Sequence, residues 1–363
     1  MSQGLDDVIA AETRLSSVDG AHGILVIKGF SLDQIAGQKS FEDVAWLLFG
    51  GLFDDLPDAH AFAAQLGHAR GEVFDLVQYI DDGILALPPM DGMRAIMARI
   101  ADGEDLATAT RLLVAPAVLL PAFLRLRDGQ APLAPDPRNG HAADMLHMLN
   151  GQVAAPETVS ALDTYLVTVA DHGLNASTFA ARVVASTWSG LTSSVLAGLA
   201  ALKGPLHGGA PGPIIAMLDG IGTPENAEAW IEDALARGDR LMGFGHRIYK
   251  VRDPRADALK AAVRRMAKGS NLLPGRLKLA EAVEQAALEI LHRHKPDRPL
   301  DVNVEFYTAL LLEALGFPPD AFTAVFATGR TAGWLAHARE QRLTGRLIRP
   351  QSAYVGPAPA EAA

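Results

Sequence analysis

The chain has 363 residues, of which 49% are hydrophobic and 20% charged, and its formal net charge is −10. This composition is typical of a soluble globular protein with a substantial core, and the length allows two domains or one large one. The chain contains no cysteine, which excludes disulfides, thiolate metal sites and a cysteine nucleophile.

Neither a signal peptide nor a membrane span is predicted. The N-terminal sequence MSQGLDDVIAAE is acidic and lacks the charged-then-apolar layout of a signal peptide. The most apolar run, residues 112–124, is short and is interrupted by Pro116 and Pro121. We therefore expect a soluble cytoplasmic protein with no membrane or nucleic-acid partner.

The pattern of apolar residues predicts a mainly α fold with a short N-terminal β element. Residues 24–30, which read ILVIKGF, are the best strand candidate. Beyond them apolar residues recur at helical spacing, and the segment 128–140, rich in proline, is predicted to be a loop. Helices are predicted over residues 41–49, 58–79 (bent, or two helices), 93–100, 106–126, 158–170, 177–202, 224–237, 257–268, 278–292, 304–315 and 319–340.

Residues 241–256 read LMGFGHRIYKVRDPRA and concentrate positive charge in an acidic chain, which favours an anionic ligand. Gly243 and Gly245 let the backbone approach a ligand closely. Asp253-Pro254 predicts a helix start, which puts Arg255 in the first turn, at the positive end of the helix. The alternative is a glycine loop with a solvated basic face before a helix.

A second stretch, KGPLHGGA at residues 203–210, holds His207 between Gly-Pro and Gly-Gly. The helix before it must end at Gly-Pro, so His207 lies at an element boundary with few neighbouring side chains to bury it. Together with His246 and the carboxylate of Glu305 in DVNVEFY, it makes an acid/base set. The alternative is a hydrogen-bonded structural histidine.

These segments resemble a known family. GPLHGGA, GFGHRIYKVRDPRA and NVEFY are similar, in order and separation, to the three catalytic segments of citrate synthase. VIAAETRLSSVDGAHGILVIKGF resembles the opening of the shorter bacterial and archaeal enzymes. ADHGLNASTFAARVVAS, GRTAGWLAHARE and LIRPQSAYVGP fit as well, so the resemblance covers nearly the whole chain.

The resemblance implies a two-domain helical architecture that composition alone does not predict. Residues 1–206 and 308–363 would form a large domain, and residues 207–307 a small one. The active site would lie in the cleft between them, which closes over the substrate and expels water. The resemblance also implies a homodimer in which Arg349 reaches the active site of the neighbouring subunit.

By the same resemblance the chain is an acyltransferase that condenses acetyl-CoA with oxaloacetate, by enolisation and then thioester hydrolysis, to give citrate and CoA. Glu305 would be the base, His207 would face the thioester oxygen and His246 the oxaloacetate carbonyl. No metal or bound cofactor is implied. The substrate carboxylates would be bound by His172, Arg255, Arg330 and Arg349, and CoA by Met242, Gly243, Phe244, Gly245, Arg247 and Lys250.

The sequence departs from the family pattern at two points. Glu305 stands where the family usually has Asp, and Pro211-Gly212-Pro213 follows HGGA where Asn-Glu is common. Three alternatives therefore accompany the citrate synthase reading. The chain could be a 2-methylcitrate synthase using propionyl-CoA, a citryl-CoA-cleaving relative, or a catalytically altered paralogue that senses CoA or dicarboxylates.

Overall fold

The structure, a computed structural model, describes residues 4–5, 8–208, 212–245, 248–249, 251–269, 274–294 and 300–356. Within these ranges the chain forms sixteen α-helices, three short 3-10 helices and three short β-strands. The predicted mainly α fold with a short N-terminal β element is confirmed.

The β element is a three-stranded antiparallel sheet, made of β1 (Ser16–Asp19), β2 (Ile24–Ile27) and β3 (Phe30–Ser31), in that order. The single predicted strand over residues 24–30 is therefore two strands, because the chain turns back at residues 28–29. Leu25 and Ile27 alternate with more exposed residues and are buried in the core.

The helices account for nearly all of the remaining regular structure. In chain order they are α1 (Leu32–Ile35), α2 (Phe41–Phe49), α3 (Ala59–Phe74), α4 (Asp82–Leu85), α5 (Pro89–Met97), α6 (Leu106–Arg127), α7 (His141–Asn150), α8 (Pro156–Val169), α9 (Ala176–Ala185), α10 (Leu191–Leu202), α11 (Gly212–Ile221), α12 (Ala227–Ala236), α13 (Pro254–Lys268), α14 (Pro274–His294), α15 (Val304–Ala314) and α16 (Phe322–Thr344). The 3-10 helices are Asp75–Tyr79, Pro224–Asn226 and Pro319–Ala321.

Helix α6 lies at the centre of the core, where it packs against α3, α5, α7 and α16. Its length and composition would allow it to cross a membrane, but 89% of its most apolar window is buried by the rest of the protein. Pro116 and Pro121 lie inside this helix and are buried. Its apolar surface is thus satisfied by protein contacts, as in the core helix of a globular fold.

The predicted helix over residues 177–202 is wrong, because the chain breaks between α9 and α10. Trp188 and Gly190 both have positive φ, 70° and 101°, in the break. A Cβ at Gly190 would lie 2.2 Å from the Asp102 carboxylate, so the residue must be glycine. Asp102 in turn accepts a hydrogen bond from Thr192 N at 2.8 Å and so caps α10.

Helices α9 and α16 are held together by a buried ion pair. Arg182 Nη1 lies 2.7 Å from Glu340 Oε2, and both side chains are almost fully buried. The same nitrogen donates to His337 Nδ1 at 2.8 Å, and His337 Nε2 lies 3.2 Å from Asp171 Oδ2. Since the Nδ1 atom of His337 accepts from arginine, its Nε2 carries the proton that Asp171 accepts. These contacts fix the segment after α8 and the last turn of α9 against α16.

Candidate active site

Glu305 lies in the first turn of α15. The side chain of Asn303 caps this helix by accepting a hydrogen bond from Glu305 N at 3.0 Å. Burial raises the pKa of Glu305 to about 7, against the smaller lowering effect of the positive charges on Arg255 and Arg330. Within the described part of the chain no hydrogen bond is made by its carboxylate, which is therefore available to a substrate.

The segment 243–245 is paired with the residues just before Glu305. Gly245 N donates to Asp301 O at 2.7 Å, and Asn303 N donates to Gly243 O at 2.9 Å. The side chain of Asn303 adds a bond from Nδ2 to Gly245 O at 2.9 Å. We call these contacts the 243–303 ladder.

Gly243 is required by the packing of this ladder. Its φ is 86°, and a Cβ there would lie 2.9 Å from the ring of Phe306. The predicted CoA-binding residues Met242, Gly243, Phe244 and Gly245 thus lie beside the Glu305 turn. The other predicted residues of this region, His246, Arg247 and Lys250, lie outside the described residues.

Arg255 lies in the first turn of α13, as predicted, and is buried against Asp253. Arg255 Nε and Nη2 donate to the two carboxylate oxygens of Asp253 at 3.0 and 2.8 Å. Asp253 also accepts from Arg255 N at 3.0 Å and from Val304 N at 3.2 Å. One carboxylate therefore caps α13, orients Arg255 and holds the start of α15, which carries Glu305.

His207 follows the end of α10 in a tight turn, with its N–H donating to Gly204 O at 2.9 Å. Its side chain is partly buried, and Nε2 lies 2.8 Å from Ser177 Oγ at the start of α9. Burial lowers the pKa of His207 to about 4, and the positive charge of Arg330 acts in the same direction. The imidazole is therefore neutral at pH 7.

The Ser177 hydroxyl determines which nitrogen of His207 carries the proton. Its oxygen accepts from Trp334 Nε1 at 3.1 Å and lies 2.8 Å from Asn175 Oδ1. Asn175 Oδ1 already accepts from two backbone N–H groups as the cap of α9. The single hydroxyl proton can point to Asn175 or to His207 Nε2. In the second case neutral His207 carries its proton on Nδ1, free to donate to a ligand.

Arg330 and His172 are both buried at the end of α8, where they form a further wall of the site. Arg330, on α16 and fully buried, donates from Nε to Val169 O at 2.6 Å, the one hydrogen bond it makes among the described residues. Burial lowers its pKa to about 10, so it remains cationic at pH 7. His172 is buried with Nε2 3.0 Å from Tyr249 OH. Because Arg330 and Trp334 are one turn apart, α16 connects this wall to Ser177 and His207.

Arg349 is not brought to this site within its own chain. It lies on the exposed segment after α16, and Ile348 N beside it donates to Ser186 Oγ at 3.0 Å. Ser186 follows Ser177 by nine residues, which spans about 14 Å along a helix. Arg349 is thus at the end of α9 away from His207.

Several residues of the site were not identified from the sequence. Ser177 and Trp334 hold His207, Tyr249 contacts His172, and Asp253, recognised only as a helix cap, orients Arg255. Within the described part of the chain no group of three His, Asp or Glu side chains is arranged as metal ligands.

The arrangement has the parts of an acid/base site for an anionic substrate. The site contains a carboxyl group whose pKa is near 7, a neutral histidine and two buried arginines. The charge of Arg330 lowers the pKa of both the carboxyl group and the histidine, and that of Arg255 lowers the pKa of the carboxyl group. A carboxylate with such a pKa can take a proton at neutral pH, and guanidinium groups bind carboxylates in a bidentate manner.

Comparison with known proteins identifies the family. The family model described as citrate synthase, C-terminal domain, matches residues 4–351. The chain is 35% identical to citrate synthase of Haloferax volcanii, over 98% of this chain and 96% of that one. It is equally identical to citrate synthase 2 of Bacillus subtilis, with the same coverage of both chains.

A solved structure is similar over the whole chain. Citrate synthase from Thermoplasma acidophilum, determined in a ternary complex with carboxymethyl coenzyme A and oxaloacetate, superposes with a TM-score of 0.85 at 30% identity. The alignment covers 100% of this chain and 98% of that one.

Proposed function

The chain belongs to the citrate synthase family, and on this premise we propose that it condenses acetyl-CoA with oxaloacetate to give citrate and CoA. The observation that carries the proposal is the setting of Glu305. Its pKa of about 7 and the positive charges of Arg255 and Arg330 that act on it suit a base that acts beside a dianionic substrate, and Arg330 also acts on neutral His207. No bound cofactor or metal takes part in the proposed reaction.

In the first step Glu305 removes a proton from the methyl group of the thioester. The C–H electron pair moves into the new C=C bond, and the thioester oxygen becomes an enolate oxygen. His207 donates a hydrogen bond to that oxygen, which requires its proton to be on Nδ1 and the Ser177 hydroxyl to face Nε2. A preorganised donor of this kind stabilises the developing charge.

In the second step the enolate carbon attacks the ketone of oxaloacetate. A C–C bond forms, the ketone C=O opens, and His246 supplies the proton to the resulting oxygen. Arg255 and Arg330 bind the two carboxylates together with His172. Water then hydrolyses the citryl thioester, so that CoA leaves as a thiol and citrate is released.

The CoA thioester would enter along residues 242–245, next to the Glu305 turn, with Arg247 and Lys250 binding its phosphates. We propose that residues 207–307 form the small domain and close against residues 1–206 and 308–363. Closure would expel water from the enolate and strengthen the charge interactions of the site. A homodimer would complete the site with Arg349 from the neighbouring subunit.

Glu305 in place of the usual Asp affects the geometry rather than the acidity of the base. The two carboxylic acids differ little in their ordinary pKa, whereas the extra methylene extends the side chain by about 1 Å or more, enough to disturb reactive geometry. The proposal therefore requires the backbone of residues 301–305 to be placed to suit the longer side chain.

Thiol release with oxaloacetate and either acetyl-CoA or propionyl-CoA tests the proposal. We expect turnover with acetyl-CoA and a higher kcat/KM for it than for propionyl-CoA. A higher kcat/KM for propionyl-CoA would identify a 2-methylcitrate synthase. The two acyl groups differ by one methylene, which changes binding by only about 1–3 kcal/mol, so both substrates must be measured. Binding of CoA or oxaloacetate without turnover would indicate a sensor, and cleavage of citryl-CoA with no condensation would indicate a lyase.

A further inference from the structure

Arg252, immediately before Asp253, binds three carboxylates that belong to three separate parts of the chain. Its Nε donates to Asp257 on α13 at 2.6 Å. Its Nη2 lies 3.0 Å from Glu284 on α14, and its Nη1 donates to Asp301, before α15, at 3.0 Å. The sequence had suggested an anionic ligand for this arginine, but its fork is occupied by the protein itself.

The contacts of Arg252 and Asp253 bracket the segment that leads to Glu305. Arg252 holds the side chain of Asp301, while Asp253 accepts from Val304 N at 3.2 Å. Asp301 also gives its carbonyl to Gly245 N in the 243–303 ladder. Two adjacent residues thus fix both ends of a four-residue turn, and Glu305 is the next residue.

Glu284 connects Arg252 to the residues that follow Glu305, because it also accepts a hydrogen bond from Tyr307. Tyr307 OH donates to Glu284 Oε2, and Lys260 Nζ donates to the same oxygen at 2.6 Å. Burial works against the charge on Glu284, but the bonds from Lys260 and Tyr307 keep its pKa below the ordinary value. These contacts form a closed loop: Arg252 binds Asp301, the chain continues to Tyr307, Tyr307 binds Glu284, and Glu284 binds Arg252.

We propose that Arg252 is a positioning residue for the Glu305 base: its three-way pairing sets the backbone of residues 301–305 at the distance that the long glutamate side chain needs. The proposal rests on the proposed role of Glu305 in condensation. Lysine cannot replace the arginine fully, because one ammonium group does not reproduce the planar fork that reaches three carboxylates. Among the described residues of this cluster Lys260 would remain as a cation, but it pairs with Glu284 at 2.6 Å, so Asp301 would lose its described ion pair and move toward solvent.

The kinetic test compares Arg252→Met with Arg264→Met. Arg264 lies on α13, which begins two residues after Arg252, and pairs with a single carboxylate, Glu281, at the surface, so the control makes the same change of charge. We expect Arg252→Met to lower kcat by on the order of 10- to 100-fold, the cost of misplacing a reactive group by about 1 Å. The KM for oxaloacetate should change by less than about threefold, Arg252→Lys should be intermediate, and Arg264→Met should resemble wild type.

A double variant separates positioning from general stabilisation. In a Glu305→Asp background the carboxylate is already misplaced, so Arg252→Met should have little further effect on kcat. If Arg252 only stabilises the fold, Arg252→Met lowers the amount of folded enzyme, and kcat per correctly folded site equals that of wild type. The loss of total activity in Arg252→Met would then multiply with that of Glu305→Asp in the double variant. Either result would overturn the proposal.

A second readout does not depend on turnover. The Glu305 carboxyl can be titrated by carbon-13 NMR with labelled glutamate, using Glu305→Gln for assignment. We expect its pKa to fall toward the ordinary value in Arg252→Met and to stay unchanged in Arg264→Met. Without Arg252, residues 301–304 are no longer held in place, and the carboxyl of Glu305 becomes more exposed to water. Absence of thiol release in wild type would refute the proposed function alone, whereas an unchanged pKa of Glu305 in Arg252→Met would refute the positioning role.

Discussion

The Nε2 atom of His207 lies 2.8 Å from the hydroxyl oxygen of Ser177, although 30 residues separate them in the sequence. The hydroxyl has one proton and two possible acceptors, Asn175 Oδ1 and His207 Nε2. Donation to His207 leaves the Nδ1 proton of the neutral ring for the substrate. This contact therefore decides whether the Nδ1 atom of His207 is a donor or an acceptor toward the proposed thioester substrate.

Ser177→Ala is expected to lower kcat by about tenfold, less than the roughly hundredfold or greater loss that follows removal of an oxyanion donor itself. The KM for oxaloacetate should change little, because Ser177 touches no group proposed to bind it. Steady-state kinetics with both substrates provide the measurement. Ser194→Ala is the matched control, since Ser194 Oγ donates only within its own helix, to Gly190 O. Equal kcat values for the two variants would contradict the role of Ser177.

Glu305→Gln is expected to abolish condensation while binding of oxaloacetate, measured by calorimetry, stays nearly intact. The amide keeps the shape of the side chain but cannot accept the methyl proton. Glu305→Asp should also lower kcat, although Asp is the usual residue of the family at this position, because the backbone positions the longer side chain. Asp301, the nearest other acid in sequence, is paired with Arg252 at 3.0 Å. Substantial activity in Glu305→Gln would move the base elsewhere.

The rate should depend on pH through Glu305. Because its pKa is raised to about 7, the proton-accepting form is lost as the pH falls through 7. We expect kcat/KM for oxaloacetate to fall about tenfold per pH unit below that point. The pKa of His207, lowered to about 4, keeps that ring neutral over the same range. A midpoint near 4.5 would show that the base is not buried as described.

The stability of the protein gives an independent check of the same pKa. The pKa of Glu305 is higher in the folded protein, about 7, than in the unfolded chain, about 4.5. The protonated carboxyl therefore adds to the free energy of unfolding at low pH, and this contribution is lost as the pH rises from about 4.5 to 7. Glu305→Gln has no such group and does not show this loss. The Tm of Glu305→Gln minus that of wild type should therefore be more positive at pH 8 than at pH 4. An equal difference at both pH values would contradict the raised pKa.

Arg255→Lys is expected to raise the KM for oxaloacetate by on the order of tenfold or more, with kcat less affected. Asp253 holds the Arg255 guanidinium through Nε and Nη2 and so fixes its orientation. An ammonium group keeps the charge but loses this orientation. Arg264→Lys provides a control at an exposed arginine of the same helix. An unchanged KM for oxaloacetate would refute the placement of Arg255 at the substrate.

The sequence predicted those parts of the site that depend on local chemistry. Asp253-Pro254 predicts the start of α13, and the apolar spacing predicts a helix from residue 304, so Arg255 and Glu305 are both expected in first turns. The partners of Arg252 could not be predicted, because Glu284 and Asp301 are brought to it only by packing of three helices. The break at Trp188 is not predicted, because small residues (Ala, Ser and Gly) occur on both sides of it. Glycine at position 190 is required by the positive φ and by the contact with Asp102, which are known only from the structure.

Arg349 is expected to act in the neighbouring subunit of a dimer. It lies on an exposed segment and at the end of α9 away from His207, and a two-fold dimer would exchange both segments symmetrically. His246→Ala and Arg349→Ala should each be inactive alone. Co-expressed, they form mixed dimers in which one site has both lesions and the other has none. With random pairing about a quarter of wild-type activity should return. No recovery, with mixed dimers present, would show that Arg349 does not act in trans.

The 243–303 ladder ties together the two segments that precede His246 and Glu305 in the sequence. Gly245 N donates to Asp301 O and Asn303 N donates to Gly243 O, so residues 243–245 cannot be displaced without breaking these bonds unless residues 301–303 move with them. His246 is the next residue after Gly245, and Glu305 follows Asn303 by two residues. In the proposed closure the proposed base would therefore approach the substrate together with the segment that leads to His246.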